Sequence, residues 1–591
     1  MIYNAPVRDM VFLVSEWLGL DNISNLPGHE DFDDDVLQIV LEEAGKFCSN
    51  ELLPINREGD ERGATIDNGV VTTPPGFKQA YDEFIAGGWT GVDADPEYGG
   101  QGLPILLQYL IDEMLGASNL SFKLYPDLSH GAYHLLAACA SEKLRMRFVP
   151  NMVAGVWSGT MCLTEPHCGT DLGLIKTEAK SNDDGSYRIS GDKIFISSGD
   201  HDLTENIIHL VIARIEGAPE GTRGISLFAI PKMLVNDDGS IGERNNVVTT
   251  AIEHKMGIRA SATCALNFAN ARGYLVGEKN KGLSTMFRMM NMERIAIGMQ
   301  GLGLADIAYQ NAYKYSLERA QGKAPAPRPD DSKAADPVIY HPEIKRILLT
   351  IRSQVEGARA MAVFVSHHVD VMEKSPDKAT RENAADIVAL FTPVVKSFLT
   401  DLGVSSTQSA LQVFGGHGYV REHGMEQLYR DSRITTIYEG TNEVQAVDLV
   451  TRKLGGRAGE TADRLFQTWS QMLAENRDDD SNRGVVEAVQ AALSRLLEAT
   501  QWVRDNLASN DVAALGAASQ YQRLFALTAI ACLWVDILAS IREKKGSFYD
   551  TKRKTALFYL QRVLPETDSL HQVITHGAES LTDFSVDDFN H

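Results

Sequence analysis

Apolar side chains recur every three or four residues over most of this chain, and at alternate positions between about Gly155 and Glu278. The first period keeps side chains on one face of an α-helix, the second on one face of a β-strand. Helices are therefore expected from "VLQIVLEEAGKFC" to about Ala154, interrupted at residues 89–104, where Pro96, Gly99, Gly100 and Gly102 mark a loop. "SYRISGDKIFISS", "IIHLVIARI" and "GISLFAIP" read as strands bounded by the turn sequences "NDDG", "SGDHD" and "EGAPEGT". The helical period returns at Gly282 and resumes after the Pro-rich segment "APAPRPDDSKAADP", an expected exposed loop between antiparallel helices. Beyond Gly456, Val489, Leu493, Leu496, Thr500, Val503 and Leu507 form a core-facing stripe. The expected order is an N-terminal extension (1–36) with "EDFDDD" at a helix start, a helical domain (37–158), a β domain (159–278), a helical bundle (279–455) and an additional helical domain (456–591).

Length agrees with several units, because single cores stop growing near ~250–300 residues and the chain has 591. Its 44% hydrophobic and 23% charged residues are those of a globular protein. A formal net charge of −23 opposes nonspecific attraction to nucleic acid or anionic membrane. The cysteines, Cys48, Cys139, Cys162, Cys168, Cys264 and Cys532, contain no C-x-x-C pair, which argues against a zinc site. Sparing cysteine use suits a reducing compartment, so the cytoplasm is the expected location. The opening "MIYNAPVRDMVFLVSEW" carries acids and an arginine where a signal peptide would be apolar, and reads as mature structure. The run "LFALTAIACLWVDILASI" is long enough to be weighed as a membrane span, but Asp536 inside it, with Thr528 and Ser540, favours a buried helix.

Several motifs invite chemistry and have a plainer reading. "GLGLAD" at Gly301 and "GGHGY" at Gly415 lie in helical patterns rather than after a strand, which argues against a nicotinamide-binding Rossmann site. His367 and His368, and His130 and His134, lack further ligands at supporting spacing, so no metal is assigned. "MCLTEPHCGTD" offers Thr164, Thr170 and turn amides to an anionic or heteroaromatic ligand, although alone it is a turn. "DKIFISSGD" places Phe195 and Ser197 on one strand face, where a ring could wall a flat cofactor. "TIYEGTNEVQ" sets Glu439 between Tyr438 and Gly440, followed by Thr441, Asn442 and Glu443. A solvated glutamate needs no such setting, whereas a base needs a dry wall and a backbone able to bend toward its substrate.

In order, "PEYGGQG", "LTEPHCGTD", "IFISSGD", "MGIRASAT", "LQVFGGHGY" and "IYEGT" resemble the acyl-CoA dehydrogenase family, flavoproteins that oxidise acyl-CoA thioesters between Cα and Cβ. The resemblance covers about Leu37 to Arg452. It implies a mainly α protein: an N-terminal helical domain, a middle β-barrel or sandwich, and a C-terminal four-helix bundle, here with a helical C-terminal extension. FAD is the implied cofactor. By motif, Leu163 and Thr164 would contact the flavin ring, Thr170 would lie near the cofactor or the CoA, Phe195 would cover one flavin face and Ser197 would bond near N5. Arg319, Gln412 and Gly416 of a neighbouring subunit would hold the adenine dinucleotide portion, with Thr441 and Glu443 completing the site. The chain departs from many relatives in carrying Phe195 and Ser197 for tryptophan and threonine, and Glu443 for glutamine, which puts redox tuning rather than binding in question.

The resemblance further implies Glu439 as the base that takes the α-proton, flavin N5 as hydride acceptor and a trans-2-enoyl-CoA product. Tyr438 and Gly440 would form the substrate side, Arg294 would lie near the CoA, and Arg259 would organise a β-domain loop. Electron-transfer flavoprotein and a homo-oligomer, dimer or tetramer, are the implied partners. The opening phrase and the extension past "AVDLVTRKLGG" resemble a larger bacterial subgroup that includes 3-(methylthio)propanoyl-CoA dehydrogenases of dimethylsulfoniopropionate breakdown and long-chain acyl-CoA dehydrogenases. The methylthio thioester is the favoured substrate expectation, medium- or long-chain β-oxidation the alternative. An oxidase, a DNA-binding relative and a noncatalytic scaffold are weaker. From Gly456 onward, 14 Lys and Arg face 19 Asp and Glu, which is no phosphate-binding face, and the basic "REKKGSFYDTKRK" reads as a helix end or dimer contact.

Overall fold

The computed structural model describes residues 1–325, 330–477 and 483–590, so residues 326–329 of the expected Pro-rich loop lie outside the described residues. Two compact units result, one of residues 44–296 and one of residues 1–43 with 297–591; the boundary falls inside the long Gly282–Glu318 helix. The chain is mostly helical, with a sheet domain between helical regions.

In the first unit the Ile105–Cys139 helix is buried along most of its length. At Asn119 (φ −160°, ψ 89°) the helix is interrupted and restarts. The Asn119 side chain accepts from the Phe122 amide at 3.0 Å and donates to the Leu52 carbonyl at 3.2 Å, so it caps the second half as an asparagine does at a helix start. The strands are β1 (Thr65–Asp67), β2 (Val70–Thr72), β3 (Trp157–Cys162), β4 (Glu178–Ser181), β5 (Tyr187–Ser197), β6 (Asn206–Ile215), β7 (Ile225–Pro231), β8 (Met233–Val235), β9 (Ile241–Arg244), β10 (Val247–Ile252) and β11 (Thr263–Val276). The main sheet runs β10-β11-β5-β4-β6-β3, and β7 pairs with both β11 and β6, which closes β11, β5, β4, β6 and β7 into a ring. Cys162, Ile189, Ile196, Val211, Phe228, Cys264 and Phe268 fill its interior.

The β1–β2 hairpin corrects the expectation of unbroken helix up to residue 89. Its signal was present: Asn68 (φ 48°) and Gly69 (φ 78°) are the left-handed pair of a tight hairpin turn, between alternating apolar residues. Val71 and Ile66 pack on the β-domain core, so the hairpin belongs to the sheet domain in packing although it precedes it in sequence.

Beneath this fold lies a buried charge cluster. Lys123 Nζ is 2.6 Å from Asp127 and 3.6 Å from Asp112, and Gln108 donates to Asp112 at 3.0 Å. Burial pushes the Asp112 carboxyl from 3.8 up to about 6, with Lys123 opposing the shift. A carboxyl that holds its proton more tightly when folded contributes stability below its unfolded value, and that contribution is lost as pH rises through the folded one. Asp112→Asn is expected to flatten the fall in thermal midpoint across this window. An unchanged slope would exclude Asp112 as its source.

The second unit contains the bundle. The Gly282–Glu318, Pro342–Lys374 and Lys378–Phe414 helices are joined by the shorter Met425–Thr435 and Asn442–Asp448 helices. Gly301 explains "GLGLAD": a Cβ at Gly403 would lie 2.8 Å from the Gly301 carbonyl oxygen, so these glycines let two helices touch backbone to backbone. The C-terminal helices Gly456–Glu475, Arg483–Ser509, Ala518–Ser540 and Ser547–Arg562 follow. They pack directly on the bundle: a Cβ at Gly357 would meet Ile530 at 2.5 Å and the Trp534 ring nitrogen at 2.7 Å, and the Gln522 amide donates to the Pro393 carbonyl at 2.9 Å. Among the described residues two helices, Lys378–Tyr419 and Ala518–Ser540, are long and apolar enough to cross a membrane, and 78% of each apolar window is buried within the protein. Asp536 has a partner that its sequence neighbourhood did not show, the Trp17 indole at 2.9 Å.

The basic "REKKGSFYDTKRK" is more than a solvated helix end: Arg542, Lys545 and Lys554 are exposed, but two of its lysines form ion pairs within the protein. Lys552, 3% exposed, pairs with Asp9 and, at 2.6 Å, with Glu356. Lys544 pairs with Glu16 at 2.6 Å, and Arg553 donates to the Lys544 and Ile541 carbonyls. Lys544 and Lys552 thus tie the N-terminal segment to the C-terminal helices.

Candidate active site

The residues proposed from sequence fall in two groups, one in each unit. In the first, β3 delivers the chain to Leu163 and Thr164. Thr164's carbonyl accepts from the Ile194 amide at 3.0 Å, which sets this segment beside the stretch of β5 that carries Phe195. Register between β5 and β11 shifts between the pairs Cys264↔Ile196 and Leu266↔Lys193, and Phe195 in that bulge has φ 58°. A bulge re-aims a side chain. Phe195 is 59% exposed while Lys193 and Ile196 on either side are buried. Ser197 is half-buried and Thr170 lies exposed in the loop beyond.

Two residues of this group escaped sequence reasoning. Lys193 Nζ donates to the Leu163 carbonyl at 2.9 Å and pairs with Glu165 at 2.9 Å, both side chains being almost fully buried. Glu165 also accepts from the Lys176 amide at 2.7 Å and from the Thr177 amide and hydroxyl at 3.1 and 2.6 Å. Burial would raise the Glu165 carboxyl, but Lys193 and these donors outweigh it and hold it below its ordinary value. The pair staples "LTEPHCGTD" to β5. The available hint was a lysine at a core position of a strand, which needs a buried counter-charge.

The second group is built on the turn between the Met425–Thr435 and Asn442–Asp448 helices. Glu439 (φ 55°) and Gly440 (φ 86°) are consecutive left-handed residues. Such backbone is uncommon for a residue with a side chain and clusters at functional sites. Thr441 caps the following helix, its hydroxyl accepting from the Val444 amide at 3.4 Å. The Tyr438 hydroxyl donates to Gln300, so the ring is anchored to the bundle. Glu439, Tyr438 and Gly440 are half-buried and Glu443 is exposed in the first turn. A Cβ at Gly440 would lie 2.7 Å from Gln445 Nε2, and the residue's φ of 86° is backbone that favours glycine.

Arg319, Gln412 and Gly416 are also brought together. Tyr315 stacks on Phe414 with centroids 4.1 Å apart and bonds His417 at 3.0 Å, which sets the end of the Gly282–Glu318 helix against the 415–419 turn. Arg319 and Gln412 are exposed, and no atom lies within 4 Å of where a Cβ would sit on Gly415 or Gly416. Arg294, 8% exposed, belongs to the first unit, donates to Asn291 at 3.3 Å and lies 5.7 Å from the Phe287 ring centroid. Arg259 is beside the β1 entry, its carbonyl accepting from the Ala64 amide at 3.0 Å.

The fold supplies what chain spacing did not for His130 and His134. Asp93 lies between them, 2.9 Å from His130 Nε2 and 3.0 Å from His134 Nε2, and Tyr133 donates to it at 3.2 Å. Burial would raise the Asp93 carboxyl, but the two imidazoles hold it well below its ordinary value. Elsewhere, burial lowers His367 to about 4, and His368 Nδ1 bonds the Phe364 carbonyl at 2.8 Å.

Models of the acyl-CoA dehydrogenase N-terminal, middle and C-terminal domains match residues 34–156, 160–271 and 280–454, and an acetyl-CoA dehydrogenase C-terminal-like model matches residues 461–585. The chain belongs to the acyl-CoA dehydrogenase family, FAD-dependent oxidoreductases acting on the CH–CH bond of acyl-CoA thioesters. It is 38% identical to the 3-methylmercaptopropionyl-CoA dehydrogenase of Ruegeria pomeroyi, over 99% of this chain and 100% of that protein. It is 34% identical to a butyryl-CoA dehydrogenase of Syntrophomonas wolfei, over 95% of each. Its fold matches an acyl-CoA dehydrogenase from Bacillus anthracis solved with FAD, with a TM-score of 0.74 at 21% identity over 93% of this chain and 90% of that one.

Proposed function

We propose that Glu439 is the base of this dehydrogenase and that 3-(methylthio)propanoyl-CoA is its substrate. The observation that carries the first part is the left-handed Glu439–Gly440 pair: a carboxylate held half-buried on a constrained turn, with Tyr438 anchored beside it. The likeness over nearly the whole chain to a protein bearing that substrate's name supports the second part.

The residues present suit FAD. Phe195 is an exposed ring on a rigid strand, with Leu163 and Thr164 alongside, which suits a flat heteroaromatic face; Ser197 and Thr170 add hydroxyls. Gly415 and Gly416 leave backbone open to close approach, and Arg319 offers a guanidinium for a pyrophosphate, with Gln412 on the same surface and Thr441 and Glu443 at the helix start. When bound, FAD supplies the two-electron acceptor for the hydrogen leaving Cβ. This chain's own contribution is the α-proton: Glu439 takes it as charge develops on the thioester oxygen, and backbone N–H donors are suited to stabilise that oxygen. Tyr438 and Gly440, half-buried on the same turn, would form the wall and bend around the acyl group.

A homo-oligomer follows from this reading, because Arg319, Gln412 and Gly416 are exposed and would serve a neighbour's cofactor. Electron-transfer flavoprotein is the proposed acceptor and the cytoplasm the proposed location. The butyryl-CoA relatives favour a second reading, oxidation of short straight-chain thioesters.

Anaerobic flavin bleaching with 3-(methylthio)propanoyl-, butanoyl-, octanoyl- and palmitoyl-CoA tests both. Faster bleaching by the methylthio thioester than by butanoyl-CoA, with palmitoyl-CoA inert, is the expected result, and faster bleaching by butanoyl-CoA would favour the second reading. Preferential bleaching by octanoyl- or palmitoyl-CoA would assign the enzyme to longer-chain β-oxidation instead.

A further inference from the structure

Beneath the Glu439 turn is a fully buried lysine. Lys396, on the Lys378–Phe414 helix, donates to the Gly440 carbonyl at 2.9 Å and to the Asn442 side-chain carbonyl at 2.8 Å. The Asn442 amide in turn donates to the Ser397 carbonyl at 3.2 Å, the Thr400 hydroxyl at 3.0 Å and Asp401 at 2.8 Å. From the other side, Gln445, also fully buried, donates to the Glu439 carbonyl at 3.0 Å. Both carbonyls that follow the strained Cα of Glu439 are therefore gripped by buried side-chain donors.

This matters because a left-handed glutamate is not at its backbone minimum. Positive φ in a residue with a Cβ is disfavoured by sterics and persists only where the surroundings over-determine it. Thr441 caps the next helix but does not constrain the Glu439 peptide planes; Lys396 and Gln445 do. A charged donor makes the stronger of the two holds, because ionised hydrogen bonds are roughly twice as strong as neutral ones. Burying an ammonium is costly unless its donors are satisfied, so a fully buried lysine spent on a turn carbonyl marks that turn's geometry as what it serves.

We propose that Lys396 is a positioning residue: with Gln445 it holds the Glu439–Gly440 turn in its left-handed geometry and so aims the Glu439 carboxylate at the substrate α-carbon. In this role it acts through the turn rather than on the substrate itself. The inference rests on Glu439 being the base. It assigns to the clamp the step that removes the α-proton, and leaves thioester binding to other residues.

Lys396→Met keeps an unbranched side chain reaching as far as Cε and removes the Nζ donors. Expected for the FAD-loaded variant are unchanged FAD content, affinity within about threefold for an acyl-CoA analogue that cannot be oxidised, and flavin reduction slowed about 100-fold, the usual cost of a misplaced reacting group. The deuterium isotope effect with α-deuterated thioester should rise, as proton removal becomes more fully limiting. Lys396→Arg should recover part of the rate, and Gln445→Leu should slow reduction less than Lys396→Met. If Lys396→Met does not fold, the Gln445→Leu and Lys396→Arg rates and isotope effects decide: wild-type values in both overturn the proposal. A Lys396→Met protein reduced at the wild-type rate, or one whose loss lies wholly in analogue affinity with the isotope effect unchanged, also overturns it. Wild-type protein that no thioester bleaches would instead sink the assignment of the reaction, and Glu439→Gln turning over normally would sink that of the base.

Discussion

Glu439→Gln is expected to leave FAD bound and the fold intact while lowering acyl-CoA-dependent flavin reduction by about 10⁴-fold, the upper end of what a positioned base contributes. The amide is nearly isosteric with the carboxylate, so the φ 55° turn, the Lys396 and Gln445 clamps and the Thr441 cap should survive the change. What disappears is the acceptor for the α-proton. Single-turnover flavin bleaching measures the loss directly, and the flavin absorbance of the purified variant reports retention of cofactor. Bleaching at the wild-type rate would falsify the assignment of Glu439, and loss of FAD would show that its role is to build the cofactor site.

Lys552→Met is expected to be the most damaging single substitution outside the site. Lys552 is 3% exposed and pairs with Asp9 and Glu356, while Arg359, 2% exposed, holds Asp9 at 2.6 Å and Asp306 at 3.5 Å. Removing one partner from a buried ionic network leaves uncompensated charge and costs about 3–5 kcal/mol. A thermal midpoint lowered by roughly 4–7 °C would follow for a unit of this size. Burial would raise the Asp9 carboxyl, but Lys552 and Arg359 outweigh it and hold it below 3.8. A carboxylate with a depressed folded pKa contributes stability above its unfolded value, and that contribution is lost as pH falls through the folded one. Lys552→Met should therefore shrink the stability difference between neutral pH and pH 3. A midpoint within a degree of wild type would show that the N-terminal segment is held by packing alone.

Much of the fold could be read from periodicity because helices and strands declare themselves locally. The stripe from Val489 to Val503 is buried, and the three sequence-proposed strands became β5, β6 and β7. The β1–β2 hairpin was missed because its strands are only a few residues long, although Asn68-Gly69 announced it. Candidate site residues could be proposed where motif and chemistry coincide, at Glu439, Phe195 and Leu163. Lys193, Glu165, Lys396 and Gln445 were not, since a buried lysine or glutamine looks in sequence like any other polar residue in a helix or strand.

The sequence alone determined the order of helical and β regions, the carboxylate between an aromatic ring and a glycine, and the family. Tertiary structure alone decided which charges meet: Asp93 between His130 and His134, Lys193 on Glu165, Lys552 on Asp9, and Lys396 on a carbonyl 44 residues further along. The reason is one of range. Periodicity and capping arise from neighbours within a turn or two of chain, whereas a hydrogen bond or ion pair depends on a separation of a few ångströms between side chains that only packing brings together.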